Sequence, residues 1–393
     1  MDDAQAVVVG AGLSGLTAAR RLARAGLRVV VLEARDRVGG RAWRVEVGGL
    51  PFDAGCEALW ETHVRLLALA GELGVPVHAG RPWAGHGAPS PPVVQALEEE
   101  IAALAARIDP AHPEELEDAE GLDARTLGAW LAEHGADERA LALAETRYAV
   151  ASSSVPITAM SLLAYAAKLA AGAAPDAPAL RLAGGPTALA DRLADGLDVR
   201  LGAEVAAVEQ AGGGVQVRLR DGSRLRARRA ILAVPLTQER RLRFDPAPAP
   251  HRRAAFAEAR YGDAVKAGFA FDHLPARELP ELTAAGVLYR PDPDVPLLAL
   301  FAGAGAARRA SSFSFPEGGP RAARTVDWTA EPYTRGSYLI FGPGQLTSWG
   351  RRLAEPQGRL HFAGSEASDL PSFMEGAVRA GERAANEVGA ATE

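Results

Sequence analysis

Three glycines and one acidic residue near the N-terminus have the types and spacing needed to hold a pyrophosphate and a ribose. Gly10, Gly12 and Gly15 follow the pattern GxGxxG, and Glu33 comes later in the same stretch. The first glycine permits a tight turn, the second lets the backbone approach a pyrophosphate, and the third lets a helix pack closely on a strand. An acid in the position of Glu33 accepts hydrogen bonds from ribose hydroxyls. These four residues therefore predict a dinucleotide-binding turn.

The segments around this turn are those that the motif requires. Residues 6–9 form an apolar run typical of a buried parallel strand, and a helical pattern follows the turn. Gly26 stands where a helix C-cap is expected, and residues 27–32 are predicted to form a second strand that ends on Glu33. This order places the free N–H groups of the helix N-terminus, at Leu13 and Ser14, next to the phosphates.

The composition is that of an ordinary globular protein, and it excludes several classes of function. With 393 residues the chain has enough material for two or three domains. A net charge of −6 with dispersed basic residues argues against a nucleic-acid partner, and we interpret the basic run at residues 224–229 as a solvated edge strand. The eight histidines show no ligand spacing, so no metal site is predicted.

The single cysteine and the lack of long apolar runs indicate the cellular setting. Cys56 has no partner for an intramolecular disulfide, and we expect it to be a buried, inert thiol. Residues 1–9 do not resemble a signal peptide, and no run reaches the roughly 18 apolar residues of a membrane span. We therefore expect a soluble, cytoplasmic protein that does not bind membranes.

Periodicity along the chain predicts alternating helical and strand-rich regions. Helices are predicted at residues 62–73, 93–107, 126–134, 137–150 and 157–171. Strands are predicted at residues 43–47, 199–201, 204–210, 215–220, 224–228, 230–234, 265–271, 336–341 and within 359–366. Stretches rich in Pro and Gly at residues 80–92 and 172–178 are interpreted as linkers.

A second glycine pair helps to distinguish a flavin dinucleotide from a nicotinamide dinucleotide as the ligand. Gly39 and Gly40 precede Arg41 and follow Ala34 and Arg35. They would bring a further backbone loop and a guanidinium to a phosphate or to an isoalloxazine ring, which a simple nicotinamide-binding domain does not need. At this point the chain resembles the two-dinucleotide-binding-domain flavoproteins, and more closely the flavin-containing amine oxidase (monoamine oxidase-like) family.

The resemblance continues in three separate parts of the chain. It includes Phe52-Asp53-Ala54-Gly55, residues 182–235, and residues 359–366 and 371–377 near the C-terminus. It implies that FAD is the cofactor and that the N-terminal block, residues 182–235 and the C-terminal block bind it. The residues assigned to FAD in this way are Gly10, Gly12, Leu13, Ser14, Gly15, Glu33, Ala34, Arg35, Gly39, Gly40, Arg41, Val205, Trp328, Gly364, Ser365, Glu366, Phe373, Met374 and Ala377.

The resemblance also implies three catalytic residues. Lys266 lies where the family places a lysine that reaches flavin N5 through a water, and Tyr338 and Phe373 match two aromatic residues that face each other before the flavin. The alternative for each is an ordinary packing role. Ser337 stands where some members attach FAD through a cysteine, so the resemblance implies non-covalent FAD.

The implied fold is α/β, with a βαβ-led Rossmann-type FAD-binding domain on a parallel sheet and an inserted α+β substrate domain. The expected FAD-binding domain comprises residues 1–80, 181–245 and 326–393. The expected substrate-binding domain comprises residues 81–180 and 246–325.

The implied function is oxidation of a C–N bond in an amine or amino-acid-derived substrate to an imine, with O2 as the acceptor and H2O2 as a product. Phe373 stands where many members have tyrosine, and the stretch after Lys266 lacks an expected aromatic–tryptophan pair. A desaturase or dehydrogenase acting on C–C bonds therefore stays open, as does a flavin-binding protein without turnover. The oligomeric state is also open, with a homodimer as one option.

Overall fold

Two sheets, each accompanied by helices, organise the chain. The computed structural model describes residues 4–80, 92–171, 179–275, 279, 281–283, 286–292, 294–303, 305, 313, 315 and 319–390. In chain order the strands are β1 (Ala4–Val9), β2 (Val29–Leu32), β3 (Arg44–Val47), β4 (Leu50–Asp53), β5 (Val77–Ala79), β6 (Leu180–Leu182), β7 (Asp198–Arg200), β8 (Val205–Ala211), β9 (Gly214–Leu219), β10 (Arg224–Leu232), β11 (Arg243–Asp245), β12 (Ala264–Ala270), β13 (Glu281–Thr283), β14 (Gly286–Tyr289), β15 (Leu297–Gly303), β16 (Ala322–Asp327) and β17 (Leu360–Phe362).

The described helices lie between and after these strands. They are α1 (Leu13–Arg24), α2 (Val64–Glu72), α3 (Pro92–Ala105), α4 (Ala119–Asp123), α5 (Leu127–Glu133), α6 (Glu138–Ala144), α7 (Leu162–Ala170), α8 (Gly185–Ala194), α9 (Leu236–Glu239), α10 (Pro250–Glu258), α11 (Gln345–Ser348) and α12 (Met374–Ala390). A π-helix spans Glu145–Ser153, and short 3₁₀ turns span Pro113–Glu115, Gly350–Arg352 and Ser365–Ala367.

The larger sheet confirms the predicted Rossmann-type core. Its described strands follow the order β11-β8-β9-β10-β1-β2-β7, and β17 also pairs with β10. Strands β1, β2, β7, β10 and β17 run parallel. Alternate residues of β1 pack into two different cores, Ala6 and Val8 with α1, α8 and α12, and Val7 and Val9 with β8–β10. Burial on both faces explains why this strand is apolar throughout.

The basic run at residues 224–229 is solvated and ends a β-hairpin, as interpreted, but its strand is an edge among the described strands only up to Arg226, before the pairing with β1 begins at Ala227. Strand β10 is a single strand that pairs with β9, β1 and β17, so the two strands predicted at residues 224–228 and 230–234 are continuous. Arg224, Arg226 and Arg228 are exposed, while Leu225 and Ala227 between them are buried. Alternation along the strand therefore produces the basic run.

The second sheet is antiparallel, with the described order β13-β14-β15-β12-β16. Strand β12 is buried along its whole length and carries Lys266. The predicted linkers at residues 80–92 and 172–178 lie almost wholly outside the described residues. No helix in the described part of the chain is long and apolar enough to cross a membrane.

Three predicted elements differ from the structure. The helix predicted at residues 137–150 becomes a π-helix after Ala144, and π-helical segments frequently mark functional sites. The helix predicted at residues 157–171 begins only at Leu162, because the Ser161 hydroxyl accepts a hydrogen bond from the Ala164 N–H and caps it there.

The strand predicted at residues 336–341 is irregular backbone. Ser337 N donates to Gly262 O at 2.9 Å, Gly262 N donates to Tyr338 O at 3.0 Å, and Leu339 forms an isolated bridge with Tyr261. Because the partner segment contacts this stretch only through residues 261–262, the contacts do not extend into a β-ladder. The alternating apolar residues that suggested a strand are buried here in separate clusters of the core.

Candidate active site

One cavity collects the predicted site residues from all three parts of the chain. It lies where β1, β2 and β10 end, which is where ligands bind in open α/β sheets. Lys266, Tyr338 and all of the predicted FAD-binding residues except Gly15 and Glu366 line it. Gly15 and Glu366 lie behind the cavity wall, where they support residues that do line it.

The first glycine turn has two glycines that the fold itself requires and one that faces open space. Gly10 has a φ of +104°, and a Cβ there would lie 2.7 Å from the carbonyl oxygen of Ala233. A Cβ on Gly15 would lie 2.0 Å from the carbonyl oxygen of Gly10, so this glycine lets α1 pack against the strands. A Cβ on Gly12 would meet nothing within 4 Å. The space beside Gly12 is the room that a pyrophosphate would fill.

Glu33 is held at one end of the cavity by backbone donors. Its two carboxylate oxygens accept hydrogen bonds from Ala11 N at 2.8 Å and from Arg35 N at 2.9 Å. Val205 lines the same cavity, and Arg35 stacks over the Tyr333 ring at 5.3 Å. We call this the adenosine end, because a fixed carboxylate beside apolar and aromatic surface suits a ribose and its base.

The second glycine loop packs directly against the first. Gly39 N donates to Ala11 O at 2.8 Å, and a Cβ on Gly40 would touch Gly12 Cα at 3.4 Å. Both glycines have positive φ, of +95° and +59°. The two turns therefore form a single cradle of backbone, as a cofactor with two phosphates requires.

Arg41 leaves this cradle with its charge already balanced. Its guanidinium forms an ion pair with Glu366 at 2.7 Å and donates to Ser337 O at 3.2 Å. Burial alone would lower the pKa of Arg41, but the Glu366 charge overrides it and raises that pKa. Burial would likewise raise the pKa of Glu366, and Arg41 holds it below the usual range. The guanidinium is thus a fixed cation in the cavity wall.

The N-terminal and C-terminal segments close one wall together. Ser14 Oγ accepts a hydrogen bond from Gly364 N at 2.8 Å, which links α1 to the loop before α12. A Cβ on Gly381 would lie 2.3 Å from Ser14 O, so the two helices are in close backbone contact. Met374 and Ala377, in the first turn of α12, line the cavity directly.

Lys266 reaches the opposite end of the cavity from the middle of β12. Its ammonium donates to Asp53 O at 2.7 Å and to Gly55 O at 3.0 Å, and it lies 3.3 Å from the Glu57 carboxylate. The predicted motif at residues 52–55 therefore supplies the backbone carbonyls that orient this lysine. It is 2 % exposed, so it is not a surface lysine of the second sheet.

Glu57 joins Lys266 to a buried polar cluster that sequence reasoning missed. Its carboxylate pairs with Arg181 at 2.9 Å and accepts a hydrogen bond from the Tyr289 hydroxyl. Burial would raise the pKa of Glu57, but the charges of Arg181 and Lys266 outweigh it and lower that pKa. The Glu57 carboxylate therefore stays ionised, and the cluster fixes the lysine between elements that are far apart in the chain.

Aromatic side chains surround the same end of the cavity, which we call the aromatic end. Phe373 packs edge-on against Trp60 at 5.9 Å and against His63 at 5.5 Å. The Tyr338 hydroxyl lies 3.4 Å from Ser154 Oγ, and burial raises the pKa of Tyr338 to about 12. Tyr338 is therefore a neutral phenol at physiological pH. Trp328 also lines the cavity and donates through Nε1 to Ala54 O at 2.9 Å.

Sequence reasoning did not identify Glu57, Trp60, Arg147, Lys168, Arg181 and Tyr289. No motif marks them, because they are spread over several separate segments of the chain. One signal was available for Lys168, since the chain has only two lysines among its 43 basic residues, and both line this cavity.

Cys56 also lines the cavity and is half-buried, whereas full burial was expected. Burial of its thiol raises the pKa to about 12. The thiol is thus protonated at physiological pH and is a poor nucleophile, as predicted. In the described part of the chain, no group of three or more His, Cys, Asp or Glu side chains is placed to hold a metal ion.

The fold and the cavity define the chain as an FAD-binding oxidoreductase. The backbone cradle, the fixed carboxylate at the adenosine end and the empty space beside Gly12 fit the dinucleotide part of FAD. A family model for flavin containing amine oxidoreductase matches residues 13–389, so the chain belongs to that family, and FAD is its cofactor.

Relatives of known activity match nearly the whole chain. The (S)-6-hydroxynicotine oxidase of Paenarthrobacter nicotinovorans is 29% identical over 435 residues, which cover 98% of this chain and 99% of that protein. A flavin-containing amine oxidase of Danio rerio is 27% identical over 452 residues, 97% of this chain and 85% of that one.

Solved structures agree with the sequence relatives. Wild-type putrescine oxidase bound to putrescine superposes with a TM-score of 0.85 at 26% identity, over 98% of this chain and 99% of that one. Cyclohexylamine oxidase from Brevibacterium oxydans IH-35A superposes with a TM-score of 0.86 at 25% identity over 100% of both chains. The recognition of the family, its fold and its cofactor from sequence is therefore confirmed.

Proposed function

We propose that this protein oxidises the C–N bond of an amine to an imine and passes the electrons to O2. An amine with a hydrogen on its α-carbon and one O2 would give one imine and one H2O2, and water would then hydrolyse the imine to a carbonyl compound. FAD, when bound, supplies the acceptor for the hydride equivalent. The protein supplies binding, orientation and electrostatics.

One arrangement carries the proposal. Lys266, Tyr338 and Phe373 come from three distant parts of the chain and line the same cavity as the glycine cradle. A substrate held at the aromatic end would lie beside the part of the cavity where the isoalloxazine is expected. Phe373 and Tyr338 would then pack on either side of the substrate's α-carbon, the carbon bonded to the amine nitrogen. The apolar wall and the neutral phenol favour an uncharged amine over its ammonium form there, which is the form that can lose a hydride.

We also propose the division of the chain into an FAD-binding and a substrate-binding part at the boundaries given above. The larger sheet and α12 hold the cradle, whereas β12 and the helices of residues 92–170 supply Lys266, Arg147 and Lys168.

The direct test is anaerobic reduction of the purified yellow holoenzyme by a panel of amines, polyamines and amino acids. Bleaching of the flavin by any member, reversed by air with formation of H2O2, is expected. A flavin that stays oxidised with every amine would instead favour oxidation of a C–C bond, the alternative left open by Phe373. A flavin that neither donors nor acceptors reach would favour a protein without turnover.

We further propose that FAD is held without a covalent bond. Ser337 lines the cavity, and its hydroxyl donates to Gly262 O at 3.0 Å, so this position offers no thiol for attachment. Acid precipitation of the holoenzyme is expected to release all of the flavin into the supernatant as intact FAD. Yellow colour that stays with the washed protein pellet would contradict this.

A further inference from the structure

The chain has only two lysines, Lys168 and Lys266, and both line the same cavity. The other basic residues are arginines, so the two lysines stand out from the general composition. Lys266 is oriented by the cluster around Glu57. Lys168 belongs to no predicted motif, and it comes from α7 on the opposite side of the aromatic end.

Lys168 is positioned beside the proposed substrate wall. Its ammonium lies 6.0 Å from the centre of the Phe373 ring and donates to Ser153 Oγ at 3.2 Å. Ser153 is fully buried and ends the π-helix that also carries Arg147. A second cavity shares Lys168, Ser372 and Phe373 with the first, so Lys168 lies where the two cavities meet.

Arg147 brings a second cation to the same wall. It lines the cavity, is largely buried, and forms an ion pair with Glu98 at 3.3 Å. Among the described residues that line the aromatic end, Glu57 is the only carboxylate, and it is already shared between Lys266 and Arg181. Glu33 and Glu204 line the adenosine end instead, where Glu204 pairs with Arg220.

Among the described residues at the aromatic end, cationic side chains therefore outnumber carboxylates. Lys168, Arg147, Lys266 and Arg181 face the carboxylates of Glu57 and Glu98. A second ammonium on the substrate, as in putrescine, would be repelled, whereas a carboxylate would form charge-assisted hydrogen bonds. Burial lowers the pKa of Lys168 to about 8, so the side chain is still mostly protonated at pH 7.

We propose that the substrate is an amine that also carries a carboxylate, and that Lys168, with Arg147, binds that carboxylate. The inference rests on the proposed function for the oxidised C–N bond, but the carboxylate subsite can be tested without turnover. The proposed substrate class is therefore an amino acid rather than a polyamine or a plain alkylamine.

The test measures the binding of saturated carboxylates, from acetate to hexanoate, to the oxidised holoenzyme. The change in flavin absorbance on titration reports the binding. We expect saturable binding, weakened about 10-fold or more by Lys168→Met, as for loss of a hydrogen bond between charged groups. Lys168→Arg should retain most of the affinity, and primary alcohols of the same lengths should bind without this dependence. Arg192→Met removes one exposed surface cation and should leave carboxylate binding unchanged.

Equal carboxylate affinity in the wild type and in a Lys168→Met holoenzyme that retains FAD would overturn the proposal, as would absence of any carboxylate binding to the wild type. A matched substrate set separates this result from failure of the proposed function. We expect higher kcat/KM for 4-aminobutyrate than for butylamine, and higher for butylamine than for putrescine. If no amine is oxidised but carboxylates bind in a Lys168-dependent way, amine oxidation is rejected and the carboxylate subsite is supported.

Discussion

A Gly15→Ala variant is expected to fold poorly and to contain little FAD. A Cβ at this position would lie 2.0 Å from the carbonyl oxygen of Gly10, and backbone cannot rotate away as a side chain does. Both α1 and the glycine turn would have to shift, at a cost of about 3 kcal/mol or more of the free energy of unfolding. Denaturant unfolding of the FAD-free chain measures the loss of stability. The flavin content of the purified protein measures the loss of FAD binding.

Gly12→Ala is the matched control, because the same methyl group there meets nothing within 4 Å and the φ of −76° suits alanine. The FAD-free variant should lose less than about 1 kcal/mol, the usual effect of alanine at a helix N-cap. Its affinity for FAD should nevertheless fall, since the methyl group would occupy the space assigned to the pyrophosphate. Unchanged FAD affinity in Gly12→Ala would place the pyrophosphate elsewhere in the cavity.

The second large effect is expected from Lys266→Met. The side chain is buried against two carbonyls and the Glu57 carboxylate, and removing one partner of a buried ion pair costs about 3–5 kcal/mol of stability. If Lys266 also acts at the flavin, flavin reduction or its reoxidation by O2 should slow by about 100-fold or more, the range for a positioned proton-transfer group. Anaerobic reduction and air reoxidation, each followed by stopped flow, separate the two half-reactions.

A double variant distinguishes the structural role of Lys266 from a chemical one. Glu57→Gln removes the carboxylate charge that Lys266 balances, so Lys266→Met should be less destabilising in that background. If the lysine serves only to balance Glu57, rates should recover together with stability. If it acts on the reaction, the double variant should be less destabilised than the two single effects predict and still slow, whereas normal rates in the single variant would discard the catalytic assignment altogether.

The first part of the site could be predicted because its residues are consecutive. Gly10, Gly12, Gly15 and Glu33 belong to one strand–turn–helix–strand unit, so local spacing fixes their relative positions. Gly26 was also predicted correctly, as the residue with positive φ that follows the end of α1. The later segments of the FAD site were recognised from family motifs, which record contacts that periodicity does not reveal.

The polar cluster could not be predicted in this way, because its members are held together only by tertiary packing. The Tyr289 hydroxyl and the Glu57 carboxylate are hydrogen-bonded across 232 residues of sequence, and nothing near either residue marks the contact. The predictions that differ from the structure have related causes. Alternating residues at 336–341 lacked a long enough partner strand, and the exposed arginines of β10 belong to a strand that becomes interior from Ala227 onward.

The contact between Ser14 and Gly364 has a consequence for biosynthesis. Ser14, in the glycine turn, is translated 350 residues before Gly364, in the wall that covers the turn, and α12 follows later still. The N-terminal unit must therefore persist with one apolar face uncovered while the residues in between are made. FAD can be captured fully only after α12 has been made, and truncated products that stop before Met374 should not be rescued by added flavin.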